Sequence, residues 1–257
     1  ISAKPVYLWI KDGEAEIRDA GRLWGLETAD TERAIREELG DPRIRTAVIG
    51  PAGEKRVRFA CILNDVTHAA GRTGMGAVMG SKRLKAIAVR GGRLPEAADP
   101  GKLRELNRWM MMNYKEKCRQ WRYGTGSDML GYEANGNLPI RNFQGGRFPG
   151  VEKITAQVLC EKYVMKMDHC YGCPVRCKRV VRLEGPSAAD PVYGGPEYET
   201  LAALGSNCGI DDLESLIKAA EICNRHGIDT ISAGVAISFA MECFEKGILR
   251  REDTDGL

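Results

Sequence analysis

A change of rhythm near residue 95 limits the fold more than any other feature of the chain. Before it, apolar residues come in short runs broken by turn residues; after "GGRLPEAADPGK" they recur at the three- and four-residue spacing of helices. On the strand side, "PVYLWI", the turn "KDGE" and "AEIRDA" predict a hairpin over residues 5–18. "ADTERAIREELG" predicts a short helix with Asp30 as N-cap, Gly40 as C-cap and an apolar stripe of Ala34, Ile35 and Leu39. "RIRTAVIG" and "VRFACIL" predict two strands with "PAGEKR" as the turn between them, and "LKAIAVRG" predicts a further strand. On the helical side stand "KLRELNRWMMMNYKEKCRQW", "ITAQVLCEKYVMK", "DDLESLIKAAEICNRHG" and "TISAGVAISFAMECFEKGI". The expected class is α+β: a β-rich mixed base domain over residues 1–95, followed by an all-helical domain over residues 96–257. Residues 122–150 read as one long Gly-rich connection, of the kind that is either functional or mobile.

Composition narrows the function classes. With 257 residues, 43% of them apolar, the chain can bury one large core or two smaller ones. Charged residues nearly cancel, leaving +3, which gives no electrostatic reason to expect nucleic acid as a partner. No apolar run reaches the roughly 18 residues of a membrane span, and no secretion signal opens the chain, so a cytoplasmic location is expected. The chain starts at "ISAKPVYLWIKDG" without methionine and stops at "REDTDGL"; the expectation is an internal piece of a longer protein.

Nine cysteines, an odd number in such a chain, point to metal binding or free thiols rather than a disulfide scaffold. Cys61, Cys208, Cys223 and Cys243 sit in apolar or helical contexts and are expected as buried thiols. The segment "HCYGCPVRCKR" is different. Cys170, Cys173 and Cys177 follow a C-x2-C-x3-C spacing that lets three thiolates reach one centre, zinc or iron–sulfur. His169 is too close to Cys170 for a fourth ligand, His226 lacks a partner at a zinc-finger interval, and Cys160 lies ten residues before Cys170. An iron–sulfur centre whose last cysteine lies beyond Leu257 requires only that the chain be truncated.

A second segment, "AAGRTGMGAVMGSKRLKAIAV", places glycines at 71, 74, 76 and 80 around Arg72, with Lys82, Arg83 and Lys85 following. Glycines that admit a ligand to the backbone, beside a guanidinium fork, suit phosphate or pyrophosphate. The spacing matches neither a dinucleotide fingerprint nor a Walker loop, and a tight turn under a packed strand is the competing reading.

With these two segments, "GPEYETLAALGSNCGIDDLESLIKAAEICNRHGIDTIS" and "AMECFEKG" in the same order, the chain resembles the tungsten-dependent aldehyde:ferredoxin oxidoreductase family over essentially its whole length. That resemblance implies a bis-pterin tungsten (or molybdenum) cofactor, a magnesium ion shared by the pterin phosphates, and a nearby [4Fe-4S] cluster. It implies oxidation of aldehydes to carboxylic acids, with electrons passing singly to ferredoxin or to electron-transfer subunits. It further implies that Arg72, Thr73, Gly74, Met75 and Gly76 hold pterin phosphate, with the Thr73 backbone oxygen toward magnesium. Cys170, Cys173 and Cys177 match three cluster ligands, and the family's fourth lies far downstream. Glu199 in "PEYET" matches a carboxylate near the metal and is the candidate for proton transfer; a carboxylate that merely starts a helix is the competing reading. Burial beside apolar groups would raise its pKa. "NRHGID" matches a pterin-contacting motif through Ile228 and Asp229, with Asn224 standing where an acid is usual. Lys218 occupies a position where some members place an iron-binding glutamate at a dimer interface, so an iron-bridged homodimer is not expected. Two other readings stay open: a relative that reduces aromatic acyl-CoA thioesters, and a non-enzymatic zinc-binding module.

Overall fold

The computed structural model describes residues 1–256 and combines a mixed sheet with many helices. The chain forms two compact units. The first contains Ile1–Arg122, Asp168–Cys177 and Ile222–Asp229; the second contains Tyr123–Met167, Lys178–Glu221 and the chain from Thr230 onward.

The first unit is organised by a six-stranded sheet. Strands β1 (Val6–Lys11) and β2 (Glu14–Asp19) form the expected hairpin, with Lys11 opposite Glu14 across a two-residue turn. Asp12 and Gly13 both take positive φ, 51° and 99°, as a tight hairpin turn that follows the strand twist requires. Helix α1 (Thr28–Leu39) ends at Gly40 in the left-handed conformation, but Asp30 is not its cap. The helix begins two residues earlier after Glu27, and Asp30 instead pairs with Arg33 at 2.7 Å within the first turns.

Strand β3 (Arg45–Val48) is followed by the short helix α2 (Pro51–Glu54) where a simple turn was expected. The strand expected over "VRFACIL" survives only as β4 (Ile62–Asn64), which turns into β5 (His68–Ala70). Helix α3 (Met75–Ser81) and strand β6 (Leu84–Arg90) follow, and the sheet order is β2-β1-β6-β3-β4-β5. Only the β1–β6 pair is parallel; the other four pairs are antiparallel. Tyr7, Leu23, Ile35, Ile44, Val48 and Leu63 are among the fully buried side chains that pack the sheet onto α1. Helix α4 (Pro100–Lys117) is capped by Asp99, which accepts from the Lys102 N–H, and α5 (Gln120–Tyr123) follows.

In the second unit, the long connection over 122–150 is interrupted by α6 (Met129–Ala134). Helix α7 (Ala156–Lys162) stops at Tyr163, because the rest of its expected span forms β7 (Val164–Asp168), paired with β8 (Lys178–Val181). The helical region therefore also holds a small sheet. Helix α8 (Tyr198–Thr200) runs into one turn of π-helix, Leu201–Gly205, all five residues of which are buried. Helices α9 (Leu213–His226) and α10 (Thr230–Glu245) complete the described elements used below. Among the described residues, no helix is long and apolar enough to cross a membrane.

Candidate functional site

The glycine loop enters α3 through a single turn at Arg72–Gly74, where Thr73 and Gly74 are both left-handed, with φ of 75° and 72°. A Cβ at Gly74 would lie 2.2 Å from the Arg58 carbonyl oxygen, and one at Gly76 would lie 2.4 Å from that of Cys61. At these two positions the missing side chain lets the backbone of residues 58–61 approach closely. Their burial turns the side chains of Arg72, Thr73 and Met75 outward, where they are exposed. Lys85 is likewise not part of a basic rim. It is fully buried, ion-paired to Glu54 at 2.5 Å, and donates to the Leu26 carbonyl at 2.8 Å. Burial holds its pKa below the usual lysine range, against the pull of the Glu54 carboxylate.

Residues 58–61 carry a second motif on their other side. The Cys61 N–H donates to the Gly227 carbonyl at 2.9 Å, the Asp229 N–H donates to the Phe59 carbonyl at 3.1 Å, and Ala60 bridges Ile228. "NRHGID" is thereby laid alongside this segment. Asp229 is brought to 3.8 Å from the Arg72 guanidinium, with 6% of the carboxylate side chain exposed against 61% for the arginine. A buried carboxylate beside an exposed guanidinium anchors the fork while leaving its donors available to an anion. Asn224 is fixed through its backbone carbonyl, which accepts from the Thr28 hydroxyl at 2.8 Å. Burial, reinforced by the Asp229 charge, pushes the Cys61 thiol up to about 12.

Cys170 is exposed and Cys173 and Cys177 are half-buried on the loop between β7 and β8. The loop turns through Gly172 and Arg176, both with positive φ, and the Cys173 N–H donates to the Cys170 carbonyl at 3.0 Å. The His169 ring contacts that same carbonyl through Nδ1 at 2.9 Å. Among the described residues, no three His, Cys, Asp or Glu side chains converge on a point that would hold a metal ion. The donor chemistry, three soft thiols on one short loop, fits an iron–sulfur cluster. A zinc site that borrows Cys160 finds no support, since that thiol donates to the Tyr123 carbonyl at 3.5 Å.

Glu199 belongs to the second unit and is exposed, against the expectation of burial. It stands at the edge of an apolar cavity of about 190 Å³ that Pro139, Phe143, Ala202, Ala203, Ile231 and Val235 line. Two features here carried no signal in the sequence. Arg179 is fully buried, and its guanidinium donates to the carbonyls of Tyr123, Thr125 and Pro196 at 2.7–2.8 Å, fixing the chain just before "EYET". Arg141, Asn142 and Phe143 form a left-handed turn, with φ of 46°, 51° and 64°. Such a turn costs about 1–2 kcal/mol per non-glycine residue, and strain of this kind gathers where function over-determines the backbone. Lys218 donates to Glu221 at 2.6 Å and to the Ala188 carbonyl at 2.7 Å. Cys208 and Cys223 are buried as expected, whereas Cys243 is only half-buried.

With this geometry in place, sequence comparison supplies the relationship. The profile for aldehyde ferredoxin oxidoreductase, domains 2 and 3, matches residues 103–257, and that for the N-terminal domain matches residues 1–91. The chain belongs to the aldehyde ferredoxin oxidoreductase family. A tungsten-containing aldehyde ferredoxin oxidoreductase of Pyrococcus abyssi is 43% identical over 256 residues, 98% of this chain and 42% of the relative. The WOR-like subunit of an aliphatic sulfonate oxidoreductase from Pyrococcus furiosus is 34% identical over 264 residues, 97% of this chain and 42% of the relative. Among solved structures, the active-site complex BamBC of benzoyl coenzyme A reductase, in complex with 1,5-dienoyl-CoA, aligns with a TM-score of 0.81 at 29% identity. The alignment covers all of this chain and 40% of that one. The family member described here thus spans about two fifths of the length of the relatives it matches.

Proposed function

We propose that the protein to which this chain belongs is a tungsten–pterin oxidoreductase that oxidises aldehydes to carboxylic acids in the cytoplasm. It passes electrons through a [4Fe-4S] cluster to ferredoxin or an electron-transfer subunit. The observation that carries this reading is the meeting of Arg72 with Asp229: two motifs distant in the chain reach one place through residues 58–61. In this reading Arg72, steadied by Asp229, would hold pterin phosphate with its planar fork, and the Thr73 backbone oxygen would be a ligand available to magnesium. Met75, Gly76, Asn224 and Ile228 complete the contact surface. When bound, the tungsten–pterin group supplies a two-electron oxidant. Overall, RCHO and water give RCOO⁻, three protons and two electrons, so each turnover reduces two one-electron acceptors. Glu199 accepts a proton at its carboxylate as water adds to the carbonyl carbon, a role for which an exposed carboxylate at a cavity edge is suited. Cys170, Cys173 and Cys177 provide three thiolates to the cluster, and a part of the protein outside these 257 residues provides the fourth ligand.

A second reading, reduction of aromatic acyl-CoA thioesters, is favoured by the likeness to the benzoyl coenzyme A reductase complex. Assay of the isolated full-length protein separates the two. Aldehyde-dependent reduction of ferredoxin, together with tungsten and iron in the preparation, is the expected result. Benzoyl-CoA turnover without aldehyde oxidation would move the assignment to the second reading, and a colourless protein with one zinc would remove both.

A further inference from the structure

The backbone that carries Glu199 is braced by one buried side chain. Glu199 is exposed, so packing of the side chain does not fix its place; the backbone beneath it must. That backbone enters α8 from Pro196 and Glu197 and leaves it into the π-helical turn. Arg179 stands on β8, two residues after Cys177 in the sequence, with its side chain fully buried. Its guanidinium meets four oxygens. Nη1 donates to the carbonyls of Tyr123 at 2.8 Å and Thr125 at 2.7 Å; Nη2 donates to the Pro196 carbonyl at 2.7 Å and to Thr125 Oγ1 at 3.1 Å. The Thr125 hydroxyl in turn donates to the Glu197 carboxylate and accepts from the Tyr198 N–H at 3.0 Å. Its one proton and two lone pairs are thus all engaged.

Taking a guanidinium out of water is costly, and an apolar side chain would fill the same space without that cost. What the charged fork alone supplies is a fixed spacing between two irregular segments, the Gly-rich chain at 123–125 and the entry to α8. Gly126 keeps these segments close, since a Cβ there would lie 3.2 Å from the Tyr198 Cβ. We infer that Arg179 is a positioning residue for the proposed proton transfer: through Thr125 it holds the Pro196–Tyr198 backbone and so fixes where the Glu199 carboxylate stands. The inference rests on the role proposed for Glu199 and names what sets the geometry of that role. Such control matters to rate, because a misplacement of about 1 Å can cost roughly 10²-fold.

The test uses the full-length enzyme and measures kcat and KM for aldehyde-dependent ferredoxin reduction, with iron and tungsten per chain. Thr125→Val keeps the branched shape and removes the hydroxyl through which Arg179 reaches Glu197 and the Tyr198 amide; Thr125→Ser keeps that hydroxyl. Thr125→Val should lower kcat about tenfold, with KM and metal content near those of the parent, whereas Thr125→Ser should turn over near the parent rate. Arg179→Lys retains the charge but replaces the fork by a point donor, so kcat should fall at least as far. In a Glu199→Gln background neither Thr125→Val nor Arg179→Lys should cost more, because residues that act as a unit are not additive. Full kcat in Thr125→Val, or the same loss on top of Glu199→Gln, overturns the inference, and so does a loss of iron or tungsten that accounts for the fall. If Arg179→Lys does not fold, the two Thr125 variants decide alone. If Glu199→Gln keeps full turnover, or the parent oxidises no aldehyde, the role of Glu199 fails, and amide hydrogen exchange at residues 198–201 still judges the brace. Faster exchange there in Thr125→Val, with α7 unchanged, upholds it; exchange equal to the parent's sinks it.

Discussion

The glycine loop and the cysteine loop are both short, turn-rich and central to the family resemblance, yet they are built in opposite ways. The glycine loop is braced from behind: Gly74 and Gly76 press onto residues 58–61, Asp229 is buried next to Arg72, and the Lys85–Glu54 pair lies buried within the same unit. In the cysteine loop the Cys173 N–H donates to the Cys170 carbonyl, the His169 ring meets the same oxygen, and the three thiols are exposed or half-buried. The contrast accords with what each loop is proposed to hold. Phosphate is recognised by a preset array of donors, whereas metal–thiolate bonds are strong enough to organise their own loop as they form.

The largest expected effect breaks the open half of this comparison. Cys173→Ser in the full-length protein should lower cluster iron and abolish electron transfer to ferredoxin, because a hydroxyl is a poor substitute for thiolate at iron. Because Cys173 is only half-buried and Ser differs from it by a single atom, the folded content by circular dichroism should stay near that of the parent. Unchanged iron and reduction rate would show that the spacing has been misread.

The closed half should fail differently, by losing stability. Glu54→Gln leaves the Lys85 ammonium buried without its counter-charge, and breaking one side of a buried pair costs about 3–5 kcal/mol. Hydrogen exchange at the amides of β6 should accelerate by the corresponding factor, roughly 10²–10⁴ at neutral pH. Protection that matches the parent would mean that water reaches Lys85 and that the loop's foundation is softer than its burial suggests.

Glu199→Gln probes a third kind of placement, an exposed carboxylate at a cavity edge. The variant should keep tungsten, pterin and iron while turnover slows by roughly 10²-fold, the scale of general acid–base catalysis. Loss of metals would make Glu199 structural, and full turnover would end its proposed role.

How much of this was legible in the sequence depended on whether the signal was local. The hairpin through Asp12 and Gly13 and the end of α1 at Gly40 were readable, because a few residues decide each turn. The strand expected over "VRFACIL" was cut short because residues 59–61 take their partners from 227–229, far along the chain. Helix α7 lost its last turn because Val164–Asp168 pairs with β8. Lys85 looked like a surface cation, since nothing nearby in sequence announces Glu54 as its partner. The site divided likewise. The resemblance selected Arg72 and Asp229 separately, in two motifs, but composition and spacing do not bring them to 3.8 Å. The buried Arg179 and the left-handed turn at Arg141–Phe143 left no trace, because ordinary residue types occupy both.

The smallest effect sharpens the description of the closed region through one thiol. Cys61 is buried between the glycine loop and the Asp229 segment, and its pKa is pushed up to about 12 from an ordinary value of 9.0, first by burial and then by the negative charge of Asp229. The folded chain therefore keeps a proton that the unfolded chain releases between those values, and raising the pH through this window favours unfolding. Below pH 9 the contribution is nearly absent, because both states hold the proton. At pH 10 it amounts to about 1 kcal/mol for this group. Cys61→Ala abolishes the titration but also leaves a small void, so stabilities at a single pH would mix the two effects. The loss between pH 8 and pH 10 does not, because the void is present at both. In chemical denaturation the parent should lose about 1 kcal/mol more over that interval than the variant does. Equal losses would mean that water or a rearranged Asp229 already stabilises the thiolate, and that the segment binding Arg72 to its partner is less tightly closed than the hydrogen bonds of residues 59–61 indicate.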